Sequence, residues 1–182
     1  MPRVLCLLAD GFEELEAVAP VDLLRRAGVE VVMAAMDGPE VTGRNGIRVV
    51  ADALYEDVDD GMFDLLLLPG GPSVARMRAD GRAAECARRF VESGRPVAAI
   101  CAAPLVLADA GLLEGRRFTA FPGVRAELGG GGDERVVEDG LILTSRSAGT
   151  AMDFALAVVA RLCGRERADE IAREIVMDGF GW

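Results

Sequence analysis

Three features of this chain combine residue type and spacing in a way that permits chemistry. The first is Cys101 in the run VAAICAAPLVLA, where a strand-like pattern gives way to a helix-like one across a single residue flanked by alanines. A nucleophile at so sharp a turn is presented outward at the top of a sheet, and small neighbours permit the tight geometry. A helix beginning just beyond it would favour the thiolate and bring the thiol below its free value of roughly 8.5. Taken alone, the segment fits a small buried hydrophobe equally well.

The second feature is Glu16. On a helix of about 3.6 residues per turn it lies roughly 200° from Glu14. It shares a side with Pro20, Leu23 and Ala27, whereas Glu14, Asp22 and Arg25 are assigned to solvent. A carboxyl turned toward the apolar side is desolvated, its pKa rises, and its proton stays available for donation. The competing reading is a first-turn glutamate that serves the helix dipole. The third feature is Gly70-Gly71, which ends the strand-like Asp64–Leu68. Backbone N–H groups left open there, joined by that of Ala102 beside the cysteine, would suit a developing oxyanion. Pro-Gly-Gly is also an ordinary tight turn.

The elements that must position these residues alternate along the chain. Strands are expected at 4–9, 29–35, 47–50, 64–68, 96–100 and 118–121. Helices are expected at 13–27, 74–92 with a break at Gly81, 102–110, 150–163 and 166–177. Asp139-Gly140 between two apolar runs signals a late β-hairpin. Continuous apolar strands alternating with helices imply an α/β fold with a mostly parallel sheet covered on both faces. Sites in such folds lie at the carboxyl ends of the strands, where Asp10-Gly11, Gly70-Gly71 and Cys101 all fall. No linker divides the 182 residues, so one domain over 1–182 is expected.

Composition narrows the chemistry. There is no histidine, and all 20 basic residues are arginine. That excludes Cys-His and Ser-His-Asp pairs, His-containing zinc sites and lysine Schiff bases. The net charge of -10 disfavours nucleic acid and anionic membranes as partners. No apolar run approaches the roughly 20 residues of a membrane span, and the N-terminus lacks a secretory pattern. Four dispersed cysteines without a C-x-x-C suit reduced thiols in the cytoplasm rather than a disulfide framework or a metal site.

Together the segments GFEELEAVAPVDLLRRAGVEV, LLLLPGG, AAICAAPLVLA and DGLILTSRSAGTAMDFALAVV, collinear over nearly the whole chain, resemble the ThiJ/PfpI superfamily. They are closest to its YajL-like branch, which includes the human Parkinson-disease-associated deglycase. The resemblance implies a flavodoxin-like three-layer sandwich and a homodimer. It also implies a site of oxidation-prone cysteine (Cys101), protonated glutamate (Glu16) and opposing glycine N–H groups (Gly70 and Gly71), without metal or cofactor. Two departures stand out. Phe121 occupies the place where many relatives carry a histidine, which removes the base for peptidase activity. Ser147-Ala148-Gly149 replaces the more usual Gly-Pro-Gly, altering either a site wall or a dimer contact.

On these residues the expected activity is cofactor-independent glyoxalase or deglycase chemistry on a small carbonyl substrate such as methylglyoxal or its adducts. Cys101 would attack, Glu16 would move protons, and the N–H groups would hold the oxyanion. The alternative is a redox-responsive chaperone or oxidative-stress sensor with little turnover, for which an accessible cysteine beside a carboxylic acid is equally suited.

Overall fold

A computed structural model describes residues 1–177; Trp182, from which the sequence yields no signal, lies outside them. In chain order the elements are β1 (Arg3–Leu8), α1 (Glu14–Arg26), β2 (Glu30–Ala35), β3 (Glu40–Thr42), β4 (Arg48–Val50), β5 (Ala53–Leu54) and β6 (Leu65–Leu68). There follow α2 (Ser73–Asp80), α3 (Arg82–Glu92), β7 (Val97–Ile100), α4 (Pro104–Asp109) and α5 (Arg125–Leu128). The chain continues through β8 (Val136–Asp139), β9 (Ile142–Ser145), α6 (Ala151–Cys163) and α7 (Arg165–Glu174), and short 3-10 turns fill several connections.

Seven strands form one sheet in the order β5-β2-β1-β6-β7-β9-β8, parallel except for β8 against β9. The five central strands, numbered among themselves, run 2-1-3-4-5, the flavodoxin-like order. Period-two alternation divides their side chains between two cores. Val4, Cys6, Leu8, Leu65 and Leu67 pack with α1, α6 and α7, whereas Leu5, Leu7, Leu66 and Leu68 pack with α2, α3 and α4. Strands this apolar on both faces require helices on both sides, and the three-layer α/β sandwich follows.

The late hairpin forms as expected, with Val136–Asp139 antiparallel to Ile142–Ser145 around Gly140 at φ +65°. The helical stretch after Val74 does break at Gly81, which adopts φ +83° between α2 and α3. Residues 118–121 are not a strand. Thr119 makes one isolated bridge to Gly132, and the Thr119 and Phe121 N–H groups donate to the Thr144 hydroxyl and the Cys101 carbonyl instead of to a strand edge. The segment therefore crosses the sheet's end instead of extending it. Ile47–Val50 contributes β4 to a separate two-stranded sheet with β3.

Candidate active site

β1 and β6 are neighbours whose following connections leave on opposite faces, so a crevice opens between their carboxyl ends. Into it α1 projects Glu16. Glu13 caps this helix, its carboxylate accepting the Glu16 N–H at 3.0 Å. The helix is continuous through Pro20, so its phase is kept: Glu16, Pro20 and Leu23 are buried and Ala27 is half-buried. Glu14 departs from the expected solvent side. It is buried because the loop before β4 folds over it, with the Asn45 N–H and side-chain amide donating to its carboxylate at 2.7 and 2.9 Å. Burial pushes its pKa up, but its own N–H, the Asn45 N–H and amide and the Ile47 N–H together outweigh this and hold it below the ordinary range.

Cys101 ends β7 at φ +67°, one of two non-glycine residues with positive φ among those described. That conformation costs an L-residue about 1–2 kcal/mol and persists only where the surroundings enforce it. The enforcement is visible: the Cys101 N–H donates to the Ser145 carbonyl at 2.9 Å, and its carbonyl accepts the Phe121 N–H at 2.8 Å. Phe121 is thus held beside the cysteine by its backbone, with its ring 42% exposed. The site cysteine is itself only 8% exposed.

Gly70 joins the two reactive residues. Its N–H donates to Glu16 Oε2 at 3.0 Å, so that group is committed to the carboxyl and is not open to an oxyanion. A Cβ at Gly70 would lie 2.6 Å from Cys101 Cβ, 2.6 Å from Glu16 Oε2 and 2.9 Å from the Ile100 carbonyl. Only glycine fits this wedge. Gly71, at φ +95°, packs against the backbone of Gly11, Phe12 and Glu13, and its N–H favours the Cys101 thiolate. The Gly71 N–H is thus the backbone donor that acts on the sulfur, and the Ala102 N–H has no backbone acceptor.

Electrostatically, Glu16 and Cys101 behave as a pair. Burial pushes Glu16 up to about 7, against the Cys101 thiol and the Gly70 and Ala148 N–H groups, which favour the carboxylate. Its second oxygen, Oε1, is buried and has no hydrogen-bond partner. Burial also pushes the Cys101 thiol up, to about 12; the Glu16 carboxylate adds to this, and the Ser147 hydroxyl and Gly71 N–H oppose it. The expected fall below the free thiol value is therefore corrected. The sulfur is desolvated beside an anion, and α4 starts only at Pro104 with six residues. The site holds one negative charge comfortably, and a thiolate is favoured only when Glu16 carries the proton.

The segment Ser147-Ala148-Gly149, which departs from Gly-Pro-Gly, adjoins the site: the Ser147 hydroxyl favours the Cys101 thiolate and the Ala148 N–H favours the Glu16 carboxylate. The other cysteines lie elsewhere. Cys6 and Cys86 are buried in the two cores, Cys163 is half-buried, and all four are free thiols. Among the described residues, no group of three or more Cys, Asp or Glu side chains is placed to hold a metal ion, and no helix is long and apolar enough to cross a membrane.

The chain is 39% identical over 177 residues to Protein DJ-1 homolog B of Arabidopsis thaliana, an alignment that covers 94% of this chain and 40% of that protein. It thus spans well under half the length of that curated relative. It is 37% identical over 151 residues to Deglycase PfpI of Pyrococcus furiosus, covering 81% of this chain and 91% of the relative. The fold superposes on the solved structure of oxidized Toxoplasma gondii DJ-1 with a TM-score of 0.92 at 34% identity, covering 98% of this chain and 100% of that one. The DJ-1/PfpI family model matches residues 2–161. With a cysteine at a strained strand end, a buried glutamate beside it and a flavodoxin-like order of strands, the chain belongs to the DJ-1/PfpI family.

Proposed function

We propose that this protein is a cysteine-dependent, cofactor-independent glyoxalase or deglycase acting on α-oxoaldehydes such as methylglyoxal or on their thiol and amine adducts. The observation that carries the reading is the buried Glu16 carboxyl, anchored through Oε2 by Gly70 and free at Oε1, next to Cys101. It is a proton carrier with one oxygen fixed and one available. The relative from Pyrococcus furiosus that carries the name deglycase supports the same class.

The steps balance without an external oxidant. The Cys101 proton passes to the Glu16 carboxylate as sulfur attacks the aldehyde carbon, and Glu16 returns it to the new alkoxide, giving a hemithioacetal. The carboxylate then removes the hydrogen from that carbon and delivers it to the neighbouring one. The former aldehyde carbon is oxidised to a thioester while the ketone carbon is reduced to an alcohol. Water cleaves the C–S bond, releasing a hydroxy acid and restoring the thiol. Gly71 and Ala102 N–H groups stabilise the oxyanions along the way. Without histidine no Cys-His pair exists, so peptidase chemistry is not proposed.

A second reading is favoured by one feature: the Glu16 carboxyl, Ser147 hydroxyl and Gly71 N–H all interact with the same sulfur. Such a set would also bind the oxygens of a sulfinate and serve a redox-responsive chaperone or oxidative-stress sensor. Glutathione-independent lactate production from methylglyoxal separates the two, since a sensor shows none.

We further propose a homodimer through the face where Leu15 and Val18 of α1 adjoin the loop and strand carrying Ile47 and Val50. These residues are 60%, 47%, 58% and 71% exposed, and Glu14 ties the two segments together. A cytoplasmic setting is consistent with four free thiols.

A further inference from the structure

We propose that the Phe121 ring is the apolar wall of the carbonyl site and selects α-oxoaldehydes with an aromatic substituent on the ketone carbon, favouring phenylglyoxal over methylglyoxal. The inference names the substrate class for the reading above and rests on Cys101 being the group that takes up the carbonyl carbon.

The ring is placed by its backbone. The Phe121 N–H donates to the Cys101 carbonyl at 2.8 Å, so one hydrogen bond links the residue to the nucleophile. Its own carbonyl accepts the Val124 N–H at 3.0 Å, at the start of the 3-10 turn Pro122–Val124. The chain neighbours turn inward: Ala120 is fully buried, and Phe118, Val124 and Leu128 pack against the core beneath α2, α3 and α4. The Phe121 ring joins neither core and is the one exposed aromatic among the described residues. It rests edge-on against its own turn. A Cβ at Gly123 would lie 2.8 Å from Phe121 Cε1 and 3.2 Å from Cδ1, so glycine leaves the ring its seat.

The placement matters because of which end of the sheet it occupies. Cys101 ends β7, and the segment bearing Phe121 crosses that same carboxyl end. Small-molecule sites combine an apolar lining with a few polar groups that fix orientation. Glu16 and the Gly70 and Gly71 N–H groups supply the polar part here, and Phe121 supplies the apolar part. An α-oxoaldehyde divides in the same way, into two oxygens on the reacting carbons and one substituent on the ketone carbon. A methyl group covers little of a phenyl face, whereas a second aromatic ring stacks offset or edge-to-face upon it. Contact with such a substituent also removes from water an apolar ring that the fold itself leaves uncovered.

The test is capture of Cys101 by two α-bromoketones that carry the same substituents, phenacyl bromide and bromoacetone. In each the sulfur forms a C–S bond, bromide leaves with the C–Br electron pair, and the thiol proton passes to solvent. Rates are read by mass on the Cys101 peptide and divided by those for N-acetylcysteine. Both probes meet the same sulfur, so its ionised fraction cancels in their ratio. Wild type is expected to prefer phenacyl bromide about tenfold beyond the free-thiol ratio, and Phe121→Ala to return to that ratio. Gly123 does not adopt positive φ, so Gly123→Ala displaces the ring without straining the backbone, and it should weaken the preference although Phe121 remains. A wild-type ratio equal to that of the free thiol, or an equal preference in wild type and Phe121→Ala, overturns the proposal. Faster capture of both probes in Phe121→Ala overturns it too, because the ring would then be a screen over the sulfur. Turnover is measured alongside, with kcat/KM expected to favour phenylglyoxal and Phe121→Ala to lose the preference chiefly through KM. Absent turnover with the capture preference intact would remove the glyoxalase reading and support the apolar wall.

Discussion

The Gly70 N–H donates to Glu16 Oε2 at 3.0 Å, and the space between Gly70 and Cys101 is too small for a Cβ. One glycine therefore sets both the orientation of the carboxyl and its approach to the thiol. Gly70→Ala is expected to force the site apart. Overpacking of this kind costs about 1–3 kcal/mol, which at this chain length lowers Tm by about 2–4 °C per kcal/mol. Activity should fall more steeply than stability, because the displaced carboxyl no longer reaches the sulfur. Thermal unfolding measured beside turnover checks this. Wild-type values for both would show that the wedge does not position the pair.

Burial raises Glu16 to about 7, above the ordinary carboxylate value. A raised acid contributes stability that is present below its unfolded pKa and is lost as pH rises through its folded pKa. The window is thus from about 4 to about 7. Glu16→Gln, which carries no charge and can still accept from Gly70, should be more stable than wild type at pH 8, on the order of 3 kcal/mol, with the advantage shrinking toward pH 4. Denaturant melts at the two pH values measure it. A gap that widens toward low pH has the wrong sign for a buried carboxyl.

The same residue predicts a rate profile. The active form of the pair has lost one proton, whichever of Glu16 or Cys101 retains the other. Turnover in wild type should rise as pH passes about 7. In Glu16→Gln that limb should vanish and the rate should drop by about 100-fold or more, the range for loss of a general acid–base group. A retained limb near 7 would assign the titration to another group.

Cys101 occupies left-handed backbone at φ +67°, a conformation that glycine adopts without penalty. Comparing two inactive variants isolates that strain. Cys101→Gly should exceed Cys101→Ala in stability by about 1 kcal/mol, despite its smaller side chain. An alanine variant that is the more stable of the two would mean that the turn is not strained.

Leu15→Asp combined with Val50→Asp should convert a dimer to a folded monomer, as seen by sedimentation, with near-native secondary structure. If wild type already sediments as a monomer, the exposed apolar face has another use.

Much of this arrangement is legible in the sequence, and the reasons differ by element. The apolar runs at Val4 and Leu65 can only be buried on both faces, so the layered fold follows from them. Glu16 falls inward because its helix keeps a regular period even through Pro20. What escapes is non-local. Glu14 is buried because the distant Asn45 supplies its hydrogen bonds, a compensation that no helical wheel contains. Residues 118–121 have strand-like composition, but the Thr119 and Phe121 N–H groups donate to the Thr144 hydroxyl and the Cys101 carbonyl instead of to a strand edge. The thiol's direction of shift likewise depends on how deeply the sulfur sits and on Glu16 beside it, neither of which is encoded in the local run VAAICAAP.

The most direct test of the account is lactate formation from methylglyoxal without glutathione, measured for wild type and Cys101→Ser. Turnover by wild type and its loss in the serine variant is the predicted result. Equal turnover in both would remove Cys101 as the nucleophile, and no turnover in either would contradict the enzymatic reading.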